Sequence, residues 1–266
     1  MPTKIEWSDD TWNPVGGCTH ASPGCDHCYA EKMARRLKGM GHPVYVDVVG
    51  ETGWNGNMSI APPGHKVWTQ LKRWKKPRKV FVGSMCDLFH ENRTMQGMRK
   101  VFVACERAPQ HTYFFLTKRP KMMAEAIRDW RVDHEAAYGY RGHTKHGIPD
   151  NWWFGVSVEN ISCLDRTGVL CRIPDINRWI SFEPLLEDVI GMFRPIERAR
   201  WMVVGCETGN NRRPCAISTV ETIVSGAKEL NIPVFVKALE INGKVSKNPA
   251  EWPEHLRLRE WPKGVA

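Results

Sequence analysis

From Pro77 onward the chain repeats one hydrophobic pattern. A short apolar run rich in β-branched and aromatic residues comes first. A polar cluster follows, and a helix-like segment completes the unit. The runs are Val80–Val82, Tyr113–Leu116, Trp153–Val156, Trp179–Phe182, Trp201–Val204 and Pro233–Val236. They are continuous rather than alternating, as expected of strands buried on both faces. Between them apolar residues fall at helical spacing: Met95, Met98, Val101, Phe102 and Cys105; Met122, Ala126 and Trp130 after Pro120; and Ile223, Val224, Ala227 and Leu230 after the capping-box pattern Ser218–Glu221. Upstream, Ala30, Met33, Ala34 and Leu37 predict a helix, with Gly39 placed to end it.

Strand–helix alternation predicts a parallel sheet with right-handed crossovers. With a further short strand over Trp12–Val15, the pattern suits an α/β fold of the full or partial (β/α) TIM-type barrel. An open doubly wound sheet is the alternative. Residues 41–66 and 131–151 break the rhythm and read as inserted loops. Residues 240–266 read as a C-terminal extension that packs back on the body. With no internal repeat and no interdomain linker, residues 1–266 read as one domain.

Composition adds a compartment and a partner. Hydrophobic residues make up 42% and charged residues 25%, an ordinary globular balance. No apolar run approaches the roughly 20 residues that span a bilayer. Met1–Trp7 lacks the basic-then-apolar layout of a signal peptide, so a cytoplasmic location is expected. The net charge of +9 favours an anionic partner. The densest basic run, Lys72–Lys79, is either a solvated helix end or a phosphate-binding patch with Trp74 free to stack.

The candidate chemistry begins with cysteine. There are nine, an odd number in a chain without a secretion signal, which points to metal or catalysis rather than disulfides. Cys86, Cys105, Cys163, Cys171, Cys206 and Cys215 are scattered and read as small buried apolar residues. Cys18, Cys25 and Cys28 are clustered ahead of the first predicted helix. Three thiolates are one short of a closed tetrahedral site. Either His20, His27 or a distant residue completes a structural zinc, or a metal keeps an open position. The ends of the apolar runs are polar: Ser84 and Asp87; Thr117, Lys118 and Arg119; Ser157, Glu159 and Asn160; Ser181 and Glu183; Glu207 and Thr208; Lys237. Working groups collect at the carboxyl ends of parallel strands. Charges as near a core as Glu159, Glu183, Glu207 and Lys237 need partners, and a shared cavity at that end would supply them.

Three cysteines after a first strand, opening a helix and followed by strand–helix units, resemble the radical S-adenosylmethionine superfamily. Two residues separate Cys25 from Cys28, as is usual there; six rather than three separate Cys18 from Cys25. The segments Thr11–Pro14, Gly24–Glu31, Ser84–His90, Leu116–Pro120, Ser157–Asn160 and Ser181–Leu185 resemble a phage-associated radical-SAM-like family. The resemblance implies that Cys18, Cys25 and Cys28 hold a [4Fe–4S] cluster whose fourth iron takes S-adenosylmethionine. One-electron cleavage would then release a 5′-deoxyadenosyl radical that abstracts hydrogen from a substrate. It further implies His27 beside the adenine. Ser84, Asp87, Ser157 and Glu159 become candidates for the rest of the cofactor, with Lys118 or Arg119 on its carboxylate. Glu183, Glu207 and Lys237 remain for substrate chemistry. A flavodoxin-like or ferredoxin-like electron donor is expected, and host cytoplasm if the chain is phage-encoded. The substrate expectation is a nucleotide or DNA, specifically isomerisation of an amino-acid-decorated thymine, with Glu207 and Lys237 on the appended group. The alternatives are a zinc-stabilised nucleic-acid-binding protein without catalysis, and a radical enzyme acting on a small metabolite or tRNA.

Overall fold

The computed structural model describes residue 3 and residues 5–138, 147–189 and 196–265. Its main sheet has eight strands. In chain order these are β1 (Asp10–Trp12), β4 (Lys79–Val82), β5 (Thr112–Thr117), β6 (Trp152–Ser157), β7 (Asn177–Phe182), β8 (Trp201–Gly205), β9 (Val234–Ile241) and β10 (Lys244–Ser246). They pair in that same order, parallel throughout except for the antiparallel β9–β10 hairpin. A two-stranded sheet joins β2 (Val15–Gly16) to β3 (Ser59–Ile60). The helices are α1 (Tyr29–Gly39), α2 (Val67–Arg73), α3 (Met95–Glu106), α4 (Pro120–Tyr138), α5 (Asp165–Arg172) and α6 (Ile217–Glu229).

The strand order never reverses, and this excludes the doubly wound alternative, which needs a switch point and helices on both faces. Here one face packs on the helices: Val80, Phe115, Phe154, Ile180 and Met202 join Ala34, Phe102, Ile127, Leu170 and Ile223 in the larger core. The other face holds a separate aromatic cluster of Phe81, Phe114, Trp153, Trp179, Trp201 and Phe235, closed by Trp7. That second core is why the strands read as continuous apolar runs.

The sheet is curled toward the face that carries no helix among the described residues. Phe114 on β5 and Trp201 on β8 are three strands apart, roughly 14 Å in a flat sheet, yet their ring centroids lie 5.2 Å apart. Trp179 reaches across the intervening β6 and donates its indole N–H to the Phe115 carbonyl at 3.1 Å. A Cβ at Gly155 would fall 2.5 Å from that indole, so the strand carries glycine there. The curl does not close: β1 pairs only with β4 and β10 only with β9 among the described residues. Of the full or partial barrel expected from the sequence, the closed form is corrected: the sheet is open and mostly parallel.

Three boundaries also change. The strand expected over Trp12–Val15 is split, because Pro14 cannot donate to a ladder and Asn13 turns to bond Ser84 and the Met85 amide. The loop expected over 131–151 is helical up to Tyr138, where α4 ends; residues 139–146 lie outside the described residues. The extension at 240–266 begins with the β9–β10 hairpin, whose Asn242 and Gly243 have φ of 49° and 72°. Among the described residues no helix is long and apolar enough to cross a membrane.

Candidate functional site

The segment from Gly17 to Cys28 connects β2 to α1 and carries the three clustered cysteines to the carboxyl end of the main sheet. Cys18, Cys25 and Cys28 line one cavity there. Its floor is apolar, made by Ile5, Trp7, Phe81 and Leu116, the upper edge of the aromatic core. Burial, helped by the charge of Asp87, pushes the Cys18 thiol up to about 12. Burial also raises Cys28, against the pull of the Glu31 and Ala30 amides and the Trp54 indole N–H. Those amides belong to the first turn of α1, for which Cys28 is the N-cap residue. Cys25 receives the Ala21 amide on its sulfur at 3.5 Å. Among the described residues no three His, Cys, Asp or Glu side chains stand close enough to hold a single metal ion.

Three buried carboxylates fasten this segment at three points, each from a different strand end. After β4, Asp87 accepts from Thr117 Oγ1 (2.6 Å), the Lys118 amide (3.2 Å) and Arg119 (3.1 Å). Arg119 passes the connection on to the Thr19 side chain at 2.6 Å and carbonyl at 3.2 Å, and His90 meets the same hydroxyl at 2.9 Å. After β6, Glu159 is fully buried and takes Ser22 Oγ (2.9 Å), Arg166 (2.8 Å) and Lys118. A Cβ at Gly24 would fall 2.5 Å from Glu159, so glycine lets the segment lie directly on that carboxylate. After β8, Glu207 accepts from His27 Nδ1 (3.0 Å) and from Arg213 through its amide and guanidinium (2.6–3.1 Å). Arg213 also bonds Asp26 (3.1 Å) and the Pro23 carbonyl (2.9 Å). Burial alone would raise the Glu207 carboxyl; the hydrogen bonds from Arg213 and His27 together hold it at about 2.

The family model described as "Protein of unknown function (DUF5131)" matches residues 2–254. The chain belongs to this family. No curated protein and no solved structure matches it.

For this family member, the geometry redistributes the residues singled out from the sequence. Ser84, Asp87, Lys118, Ser157, His27, Glu183, Glu207 and Lys237 do meet around the one cavity. Glu159 does not face it; its carboxylate lies behind the wall as an anchor. Asp87 lines the cavity with both oxygens already spent on protein donors, and Lys118 is tied to Glu159, so neither offers a free charge. Ser84 exchanges hydrogen bonds with Asn13 and receives Tyr29 on its carbonyl. Glu183 and Lys237 pair with each other across the cavity from β7 and β9. Cys86 and Cys206, expected as buried filler, also line it.

The basic run at 72–79 is elsewhere. It enters β4 at the amino end, away from the cavity, and Trp74 is packed against Arg78 (5.2 Å) and His111 (5.8 Å) rather than free to stack. Sequence reading missed Arg213, Arg166 and Trp54. Arg166 and Arg213 sit seven and six residues after the carboxylates they pair with, Glu159 and Glu207, a spacing that marks no motif, and Arg213 also reaches Asp26, 187 residues away.

Proposed function

We propose that this protein holds a [4Fe–4S] cluster on Cys18, Cys25 and Cys28 and works as a radical S-adenosylmethionine enzyme. The observation that carries this reading is a segment whose three thiols line one cavity and which is pinned at three points by buried ion-pair hubs. Such rigidity suits a preorganised metal centre. The donor set fits: three thiolates can serve three irons and leave the fourth to an exogenous ligand. A buried donor without a hydrogen bond of ordinary geometry, the Trp54 indole N–H, lines the same cavity. When bound, the cluster and S-adenosylmethionine would supply hydrogen abstraction from an unactivated carbon.

The protein's own part is position, dryness and charge. Asp87, Glu159 and Glu207 hold the cysteine segment through Thr19, Ser22 and Pro23–His27. The apolar floor keeps water from the reaction space. We read the curled, open sheet as a partial (β/α) barrel whose helix-free side is that space. The Lys237–Glu183 pair faces the cavity and, among the described residues, is not committed to the cysteine segment. Such a pair complements a group carrying both carboxylate and ammonium. This supports an amino-acid-decorated thymine in phage DNA as the specific substrate proposal, with isomerisation as the reaction; Lys237 and Glu183, rather than Glu207, would meet the appended group. A base in duplex DNA would have to flip out to reach the cavity. A flavodoxin-like or ferredoxin-like protein is the proposed electron donor.

Anaerobic purification, iron and sulfide analysis and incubation with S-adenosylmethionine and dithionite test the reading. The expected result is a brown protein that forms 5′-deoxyadenosine, and a Cys18/Cys25/Cys28→Ala variant that does neither. One tightly held zinc and no turnover would overturn it in favour of a binding protein. Mass spectrometry of nucleosides from modified and unmodified DNA then tests the substrate; unchanged nucleosides in both redirect it to a small metabolite or tRNA.

A further inference from the structure

The long excursion at 41–66 reaches the cavity. It folds back so that Trp54 lines the cavity beside Cys28. The indole Nε1 is shielded from water and makes no hydrogen bond of ordinary geometry within the protein. A buried N–H without an acceptor is costly and calls for an explanation. Cys28 lines the same cavity, and the indole N–H is among the groups that lower its thiol against the rise that burial imposes.

The placement is built. Glu31, in the first turn of α1, accepts from the Trp54 amide (3.3 Å) and from His20 Nε2 (2.9 Å). Gly53 has φ of 144°, and a Cβ there would lie 2.7 Å from the Glu31 carboxylate, so only glycine lets the excursion seat this closely. The Gly50 amide closes the turn on the Gly53 carbonyl at 2.7 Å, and Val49 bridges to Trp54. The helix that Cys28 caps therefore carries, in its first turn, the carboxylate that holds the Trp54 backbone at the cavity.

We propose that Trp54 is a positioning residue that donates its indole N–H to the Cys28 thiolate of the metal centre and raises the reduction potential of that centre. This rests on the cluster reading above. A thiolate carrying part of a cluster's negative charge is a better acceptor than a thiol. Hydrogen bonds to cluster sulfurs stabilise the more negative, reduced state and so raise the potential.

Trp54→Phe keeps the ring and removes the donor. In the anaerobically reconstituted protein, the midpoint potential from redox-poised electron paramagnetic resonance is expected to fall, with iron and sulfide content unchanged. Water entering through a packing defect would move the potential the opposite way, so the sign separates the two causes. Wild type grown with indole-¹⁵N tryptophan is expected to show a ¹⁵N coupling and one exchangeable proton on the reduced cluster in pulsed resonance, both absent in Trp54→Phe. The wild-type spectrum does not depend on how well the variant loads. A loaded wild type without these couplings, or a loaded variant with the wild-type potential, overturns this inference and leaves the cluster reading standing. A wild-type chain that takes up no cluster overturns both.

Discussion

Glu159 carries its charge fully out of water, and it survives there because Ser22, Arg166 and Lys118 surround it. Removing one partner of such a group strands the others. Glu159→Ala leaves Arg166 and Lys118 uncompensated and is expected to cost about 3–5 kcal/mol in urea denaturation. A loss below about 1 kcal/mol would show that the triad is not a structural hub. Glu207 makes the complementary prediction in pH. Its folded carboxyl titrates at about 2, below the ordinary value of 4.5. The folded state thus prefers the ionised form, and that stabilisation is complete above about 4.5 and lost as pH falls toward 2. In Glu207→Gln, the decline in denaturation midpoint between pH 4.5 and 2 should be shallower than in wild type. Parallel curves for the two proteins would mean that Arg213 and His27 do not bias Glu207 in solution.

At the scale of the element, the curl of the sheet depends on aromatic side chains that meet across strands, and Trp7 is the keystone. It touches Phe81, Phe114, Trp179 and Trp201 at centroid distances of 4.9–5.9 Å. Trp7→Ala should cost about 3–5 kcal/mol, as large-to-small core changes of this size do, and open the cavity floor from below. Thermal unfolding together with binding of an apolar dye would register both effects; an unchanged melting temperature would deny Trp7 this place. The strands were legible in the sequence because two cores demand apolar residues on both faces. The hairpin was also legible: Ile241-Asn242-Gly243-Lys244 carries the Asn-Gly pair that type I′ turns select, yet the segment read as an undivided extension. That carboxylates would gather at the strand ends was visible; what they hold was not. Asp87, Glu159 and Glu207 looked like ligands for a small molecule because part of what saturates them comes from elsewhere along the chain, Arg119 for Asp87, Ser22 for Glu159 and His27 for Glu207, and spacing carries no record of such closures. Trp54 was hidden for the same reason, inside a stretch whose glycines marked it only as irregular.

At the scale of the whole molecule, the charge of +9 has to be separated into what the cavity uses and what it does not. The cations near the cavity are paired: Arg119, Lys118, Arg166 and Arg213 each sit on a carboxylate that braces the cysteine segment, and Lys237 sits on Glu183. Lys72, Arg73, Lys75 and Lys76 are exposed, and they enter β4 from the end opposite the cavity. A polyanion drawn to them gains affinity without gaining access to the site. Replacing these four residues by Gln should weaken non-specific DNA binding and flatten its dependence on salt, by about 0.9 in the log–log slope for each phosphate that is no longer neutralised. Formation of 5′-deoxyadenosine without DNA should be unchanged, because the run precedes the amino end of β4 and lines no part of the cavity among the described residues. If DNA raises turnover in wild type and the four-residue variant loses only that increment, the run is an attachment point that raises local substrate concentration. If DNA-independent turnover falls as well, the two ends of the sheet communicate, and the separation drawn here between attachment and chemistry is wrong.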